Sequence, residues 1–296
     1  MVENTCVAVI DVWSYIGIAS FLTVSLIGVL YLLGRMLSKS ELEGIARKEL
    51  SQFFITFILV IAVSGLASIV CQVTPLIVQD NLGKGDQFSA SYNYLTSLIY
   101  KIGFPTVQRL WFSTFMLDSL SSVEYKTKIG GETKYGLKFK PGAVLKPFSK
   151  AIAVFNNLFN ILIGSLQAQL VFIQLSEAFA LTLILPIGMI VRSIPGLRKG
   201  GSYLIALAFG LYVVFPLTYV MDYIIFKSLY PDFSSIINSQ LNPLESFKLS
   251  SDMLLIFRYF DEFSIIIPQA TFLPLLNVTI LISFVSIFAK FLSDFE

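Results

Sequence analysis

The stretch LPIGMIVRSIPGLRKGGSYLIALAFG (Leu185–Gly210) sets two apolar runs on either side of a short basic corner. The corner carries Arg192, Arg198 and Lys199 and contains no acidic residue. Short loops rich in Lys and Arg mark the cytoplasmic side of a membrane protein. The stretch therefore predicts two membrane-crossing helices that meet in a cytoplasmic turn, and Pro195–Gly196 is the pair that makes this turn.

The composition of the whole chain agrees with a membrane protein. Of its 296 residues, 55% are hydrophobic and the mean hydropathy is +0.77. Only 14% are charged, whereas an ordinary soluble domain has roughly 25%. These values predict an all-α polytopic protein of the cell membrane.

Missing residue types exclude several functional classes. The chain has no histidine and only two cysteines, which removes the usual haem ligands, zinc and iron–sulfur sites, and the general base of most hydrolases. The nucleotide-binding pattern GxxxxGK[ST] does not occur in the sequence. We therefore expect no enzyme activity, no cofactor and no metal site.

A helix needs about 20 mostly apolar residues to cross a membrane. Four segments meet this length: Val12–Gly34, Phe53–Val78, Ser202–Leu229 and Ile265–Phe291. A fifth, Ala151–Val191, would reach roughly 60 Å as one helix, about twice the hydrocarbon thickness. Because its first half is rich in Asn and Gln, we expect one crossing over about Gly164–Val191 and a helical extension before it. The total is five spans.

The placement of charges orients these spans. The loop Arg35–Gln52 has an excess of basic residues, whereas residues 1–11 have none and residues 230–262 are mainly acidic. The positive-inside rule therefore places the N-terminus outside and the C-terminus inside. Cys6 and Cys71 then lie on the outer side, where they either form a disulfide or remain two unpaired residues.

Residues 80–150 connect the second and third spans, and we interpret them as an external insertion in a single membrane domain, 1–296. Within the insertion, Asn93–Leu117 predicts one or two amphipathic helices on the outer face. Residues 123–140 predict a β-hairpin that turns at Gly130–Gly131.

A seven-span arrangement is the alternative. It requires Asn93–Leu117 to cross the membrane and residues 151–191 to fold as a tight helical hairpin. Lys101 and Arg109 make that crossing costly, by about 2.5–3.5 kcal/mol for each charge at a helix centre. We therefore favour five spans; both arrangements end inside.

Polar side chains inside the spans are candidate functional residues. Glu177 is an ionisable residue at membrane depth, and Gln167 and Gln174 follow the same helical spacing. These three residues either form a functional site or a hydrogen-bonded seam between helices or subunits. Asp222 lies toward the outer end of its span, where we expect an interfacial position.

Two interpretations stay open for the charges of the basic corner. They either anchor the topology at the lipid headgroups, or contact a cytoplasmic ATPase or a passing phosphate backbone. Gly200 and Gly201 allow the next helix to start close to its neighbour, and Gly210 adds a small face for tight packing. Pro186 and Pro216 are expected to kink their helices.

The stretch LPIGMIVRSIPGLRKGGSYLIALAFGLYVVFPLTYVMD (Leu185–Asp222) resembles the archaeal DNA-import membrane proteins of the Ced (crenarchaeal exchange of DNA) type. Those proteins are similar in turn to the polytopic inner-membrane subunit of bacterial conjugation, or type IV secretion, machines. The resembling positions are Pro186, Gly188, Arg192, Pro195, Arg198, Gly201, Ala206, Gly210 and Pro216. The predicted layout, with five spans and a long external region before the third, is also similar to that of the conjugation subunit.

The resemblance implies a conduit subunit for single-stranded DNA in the cell membrane. It implies two kinds of partner: small pilin-like membrane proteins, and a separate cytoplasmic ATPase of the HerA-like or conjugation type. Because five helices are too few to enclose a DNA-wide pore, we expect a homo-oligomer or a shared channel. Two other functions stay open: a small-solute or ion transporter that uses Glu177 and the neighbouring glutamines, and a structural membrane platform for an external pilus.

Overall fold

The computed structural model describes residues 8–38, 40–77, 86–128, 136–194, 196–229 and 264–293. Its helices are α1 (Ala8–Met36), α2 (Ser40–Ile77), α3 (Gln87–Ser97), α4 (Phe104–Ser122), α5 (Lys146–Phe179), α6 (Leu185–Arg192), α7 (Arg198–Phe209), α8 (Phe215–Leu229) and α9 (Leu273–Ser293). Two short strands, β1 (Tyr125–Lys128) and β2 (Gly136–Phe139), lie between α4 and α5.

Five helical stretches of the described chain are long and apolar enough to cross a membrane. They are Trp13–Met36, Glu43–Leu76, Pro141–Arg192, Arg198–Leu229 and Ser264–Ser293. Each overlaps one of the five predicted spans, so the number and the approximate positions of the apolar helices are confirmed. The orientation of the helices across the membrane stays a prediction.

The long apolar segment 151–191 is a continuous helical run. α5 extends unbroken to Phe179, a π-helical turn follows at Ala180–Ile184, and α6 completes the run. No proline occurs between Pro147 and Pro186, so nothing in the segment removes a helical hydrogen bond until its last two turns. The helical hairpin that the seven-span alternative needs is therefore absent from this segment.

Prolines locally widen four helices of the described chain. The π-helical turns Leu98–Gly103, Ala180–Ile184, Gly210–Val214 and Pro268–Phe272 end two residues before Pro105, Pro186, Pro216 and Pro274, respectively. A proline has no N–H to donate to the carbonyl four residues before it, and its ring clashes with that carbonyl. A single wide turn relieves the clash without ending the helix. Pro186 and Pro216 thus disturb their helices as expected from the sequence.

The chain divides into two compact units. The first comprises Met1–Leu95, Gln169–Pro231 and Leu273–Glu296, and the second comprises Thr96–Ala168 and Asp232–Phe272. This division does not follow the predicted insertion at residues 80–150. Most of α3 belongs to the first unit, and the first part of α5 belongs to the second.

Aromatic and aliphatic side chains of α3 and of the apolar helices build the core of the first unit. Its largest fully buried members are Tyr94, Tyr219, Phe215, Ile16, Leu95, Ile173 and Leu181. Phe209 of α7 packs against Phe284 and Phe288 of α9, with ring centroids 5.7 and 5.4 Å apart. These contacts hold α7 against α9 and so position the polar groups described below.

The second unit contains α4, the strands and the first part of α5. β1 and β2 pair antiparallel, with Tyr125 opposite Phe139. The connecting residues 129–135, with the turn expected at Gly130–Gly131, lie outside the described residues, so the predicted hairpin turn stays a prediction. In the same unit, the Ser165 hydroxyl of α5 donates to the Ala270 carbonyl at 2.7 Å, which is the carbonyl that Pro274 leaves without its helical donor.

Candidate functional site

The first candidate site is the basic corner between α6 and α7. Arg192 ends α6 and is only 3% exposed, and its Nη2 donates a hydrogen bond to the Leu292 carbonyl of α9 at 3.1 Å. The last carbonyls of a helix have no partner within that helix, and basic side chains often satisfy them. Arg192 therefore caps the C-terminus of α9, and this hydrogen bond holds the basic corner against α9.

Arg198 begins α7 and forms an ion pair with Glu49 of α2. The Glu49 side chain is 2% exposed and that of Arg198 is 15% exposed. Glu49 also lines a small pocket with Thr56 and Arg192, which has room for about one water molecule. A buried carboxylate depends on its cation, so this pair fixes α2 to the corner.

Glycines shape the corner where the backbone has no room for a side chain. A Cβ added to Gly201 would lie 2.5 Å from Cα and Cβ of Arg192, so α7 approaches α6 closely there. Gly196 has φ +92°, in the left-handed region that favours glycine. Gly200 faces open space, so the close approach depends on only one glycine of the pair. Pro195, the other predicted turn residue, lies outside the described residues.

The charges of the basic corner were interpreted either as topology anchors or as contacts for an ATPase or a phosphate backbone, and the contacts above bear on this choice. Arg192 and Arg198 are engaged within the chain, by α9 and α2 respectively. Lys199 is exposed and makes no ion pair with the described residues. Of the three charges, Lys199 is thus the one that this structure leaves accessible to a partner.

A second polar cluster surrounds Tyr212, in the π-helical turn between α7 and α8. Because Pro216 cannot bond the Tyr212 carbonyl, that carbonyl accepts a hydrogen bond from Gln87 Nε2 at 3.4 Å. The Ser91 hydroxyl donates to the Pro216 carbonyl at 2.8 Å. α3 therefore lies along a helix apolar enough to cross a membrane, whereas the sequence placed it within an external insertion.

Asp86 marks the start of α3 in this cluster. Its Oδ1 accepts hydrogen bonds from the backbone N–H and the hydroxyl of Ser89, and the residue is 4% exposed. This is an N-cap, which satisfies one of the unpaired N–H groups at the beginning of the helix.

The polar residues predicted on the fifth apolar segment lie on α5. Gln167, Gln174 and Glu177 are all exposed on the surface of the chain. Gln167 belongs to the second unit, and the other two belong to the first. None of these three side chains forms a hydrogen bond or an ion pair with a residue of the described ranges.

Asp222 is buried between two helices, and its predicted position near the membrane interface stays a prediction. It is 3% exposed, and Asn277 Nδ2 of α9 donates to its Oδ2 at 2.9 Å. Asn277 itself is fully buried. A buried carboxylate is stabilised by such a donor, so the pair joins α8 to α9.

Cys71 of α2 is buried and is engaged in a disulfide. The only other cysteine of the sequence is Cys6, which lies outside the described residues. The Cys6–Cys71 pairing therefore stays a prediction.

Sequence reasoning missed the partner residues of these polar groups. They are Glu49 at the basic corner, Asp86, Gln87 and Ser91 in the cluster at Tyr212, and Asn277 beside Asp222. Gln87 and Ser91 are spaced to share a helix face, and Asn277 is a polar residue in an apolar span, so each carried a weak signal. What the sequence did not contain was the identity of the partner helix.

The two clusters can do different things. The corner holds α2, α6, α7 and α9 together and exposes Lys199, whereas the cluster at Tyr212 joins α3 to the π-helical turn before α8 through Gln87 and to α8 itself through Ser91. Comparison with protein-family models, curated proteins and solved structures found no match to this chain.

Proposed function

We propose that this chain is a channel or scaffold subunit of a membrane machine that transfers DNA, driven by a separate ATPase. The observation that carries the proposal is the exposed polar face of α5 in the first unit, formed by Gln174 and Glu177. This face lies on a stretch that is long and apolar enough to cross a membrane. Uncharged amides and a carboxylate are unfavourable against hydrocarbon, so the face requires water or another protein chain.

Such a face suits a subunit of an oligomeric conduit. Asn and Gln side chains hydrogen-bond across helices within membranes, and they also tolerate a water-filled lumen. The similarity of Leu185–Asp222 to Ced-type import proteins supports single-stranded DNA as the cargo, with small pilin-like proteins and a HerA-like or conjugation-type ATPase as partners.

The resembling positions act in this chain as packing residues. Gly188 would place a Cβ 3.1 Å from the Ile205 backbone, and Gly210 would place one 2.8 Å from Leu281. Arg192 and Arg198 are engaged within the chain. The similarity therefore supports a shared helical corner, and contact with DNA falls to Lys199 and the polar face.

A small-solute or ion transporter is the second candidate. The observation that favours it is Glu177, an exposed carboxylate on a helical stretch that is long and apolar enough to cross a membrane. Membrane-embedded carboxylates commonly bind coupling ions. This function needs no ATPase and no pilin-like partner.

The first test is co-purification from the native membrane in a gentle detergent, followed by mass spectrometry. We expect small pilin-like membrane proteins and a HerA-like or conjugation-type ATPase to be recovered with the chain. Recovery of the chain alone, as a monomer or dimer, would contradict the machine and favour the transporter.

A substitution in the polar face tests whether this face takes part in DNA uptake. Gln174→Leu should leave insertion and the level of the chain unchanged, because Leu is favourable in the membrane. DNA uptake should fall by about 5- to 30-fold, the effect of losing roughly 1–2 kcal/mol of interhelical hydrogen bonding. Thr279→Val is the control: Thr279 is exposed on α9, and its hydroxyl bonds only to its own helix. Equal uptake by both variants would remove the polar face from the mechanism.

A further inference from the structure

The small pocket at the basic corner lies between α2 and the end of α6. Glu49 and Thr56 of α2 line it, together with Met189 and Arg192 of α6 and Ser193, which follows α6. All of these residues belong to the first unit. The pocket has room for about one water molecule, so its occupant must be very small.

A buried carboxylate oxygen indicates what this occupant must supply. Glu49 is 2% exposed, and its Oε1 is paired with Arg198. Its Oε2 is buried and has no hydrogen-bond partner among the described residues. A charged acceptor without a donor is more costly in a protein interior than a neutral one. Because Glu49 lines the pocket, an occupant that donates a hydrogen bond would satisfy this oxygen.

The other polar side chains of the pocket offer the further hydrogen bonds that a water molecule needs. The Thr56 and Ser193 hydroxyls donate to carbonyls four and three residues before them, at 2.9 and 2.7 Å. Each hydroxyl has thus used its one hydrogen and can still accept. Arg192 has five N–H donors, and the one that bonds the Leu292 carbonyl is on Nη2. A buried water typically makes about three hydrogen bonds, and the pocket offers acceptors and donors for them.

The charges around the pocket favour a neutral occupant. The Glu49 carboxylate repels an anion, and the Arg192 guanidinium repels a cation. Glu49 already has Arg198 as its counter-ion, so its second oxygen needs a hydrogen-bond donor and not another positive charge. Water is neutral, fits the volume, and both donates and accepts hydrogen bonds.

We propose that one ordered water molecule binds in this pocket and bridges α2 to α6. It donates to Oε2 of Glu49 and to a hydroxyl of Thr56 or Ser193, and it accepts from the Arg192 guanidinium. The bridge is a further link within the basic corner, beside the ion pair of Glu49 and the hydrogen bond of Arg192 to α9. It does not rest on the function proposed above.

The experiment is radiolytic labelling of the full chain in detergent, with peptide mass spectrometry. X-ray pulses convert water into hydroxyl radicals, which oxidise the side chains beside that water. Met189 lines the pocket and is only 2% exposed, and a methionine thioether is readily oxidised to the sulfoxide. We therefore expect the pulse to oxidise Met189 although it is buried.

Hydrogen peroxide in the buffer is the control for access from the bulk solvent. Peroxide must diffuse to the thioether, so it should spare Met189. Met36 is 82% exposed at the end of α1, and peroxide should oxidise it. Oxidation of Met189 by the pulse but not by peroxide is the result that a bound water predicts.

Two substitutions of Thr56 test whether the label comes from the pocket. Thr56→Ile adds a methyl group that takes up the space of the water, so the labelling of Met189 by the pulse should be lost. Thr56→Val is the matched control, because it removes the same hydroxyl without adding volume. Glu49, Arg192 and Ser193 still hold the water in this control, and the labelling should remain.

Three results would overturn the water site. The first is a Met189 that resists the pulse, which would mean that no water lies beside it. The second is equal oxidation of Met189 and Met36 by peroxide, which would mean that bulk solvent enters the pocket. Both are measured on the unchanged chain, so they decide the question even if the Thr56→Ile protein does not fold. The third is equal labelling of the Thr56→Ile and Thr56→Val proteins.

Discussion

Arg198→Ala should lower the free energy of unfolding by about 3–5 kcal/mol, because it leaves Glu49 buried without its cation. The Glu49 side chain is 2% exposed, and its Oε2 already lacks a hydrogen-bond partner among the described residues. No other described ion pair of Glu49 can replace the lost one. The measurement is thermal and denaturant unfolding of the purified chain in detergent.

A double substitution distinguishes the cost of leaving one buried charge unpaired from the cost of losing side-chain packing. Glu49→Leu combined with Arg198→Leu removes both charges, and replacing a buried pair by apolar residues is often neutral. We therefore expect the double variant to recover most of the stability that Arg198→Ala loses. Lys199→Ala is the matched control, since the adjacent Lys199 is exposed and should change stability by less than about 0.5 kcal/mol. An Arg198→Ala protein as stable as the Lys199→Ala protein would show that Glu49 is solvated after all.

Gly201→Val should also be strongly destabilising, by about 3 kcal/mol, the upper end of overpacking effects. Even the first added atom, Cβ, would lie 2.5 Å from Cα and Cβ of Arg192, and the obstacle is backbone that cannot rotate away. Separating α7 from α6 would also move Arg192 away from the Leu292 carbonyl. Unfolding in detergent measures the loss, and protease sensitivity of the α6–α7 connection reports where it occurs.

Gly200 supplies the control for this prediction. It is the preceding residue on the same helix, and a Cβ there would meet nothing within 4 Å. Gly200→Ala should therefore be neutral or stabilise the helix by up to about 1 kcal/mol, because Ala is the better helix former. Equal effects of Gly201→Val and Gly200→Ala would mean that α6 and α7 are not closely packed in the membrane.

The contacts of the basic corner decide how substitutions of its charges must be interpreted. Replacing Arg192, Arg198 and Lys199 together with neutral residues would break the contacts of the corner with α2 and α9. A loss of DNA uptake would then follow from a destabilised fold. Lys199→Gln alone leaves these internal contacts in place. It is therefore the variant that asks whether the corner contacts a phosphate backbone or an ATPase.

The apolar helices and their irregular turns could be predicted from local sequence. A span depends only on about 20 consecutive side chains, so each of the five predicted spans overlaps one of the observed apolar helical stretches. The disturbances at Pro186 and Pro216 follow from a missing N–H within the same helix. The membrane-crossing part of α5 was harder to predict, because its polar first half is compatible with a helix inside the membrane and with a helix outside it.

The candidate sites depend on contacts between residues far apart in the chain. Arg198 and Glu49 are separated by 149 positions, Arg192 and Leu292 by 100, and Asp222 and Asn277 by 55. Hydropathy and charge counts predict a basic corner. They do not determine whether its guanidinium groups point outward or form contacts within the chain.

The sequence by itself determined the class of this protein, the number of its apolar helices, the places where prolines widen them, and the absence of histidine chemistry. These properties arise from the transfer of side chains out of water and from backbone donors within one helix, which are local. Only the tertiary structure decided that Arg192 and Arg198 form contacts within the chain, that Asp222 is buried against Asn277, and that Gln87 and Ser91 hold α3 against the turn at Tyr212. The energy of a buried charge is set by which groups surround it, and those groups come from helices that only folding brings together.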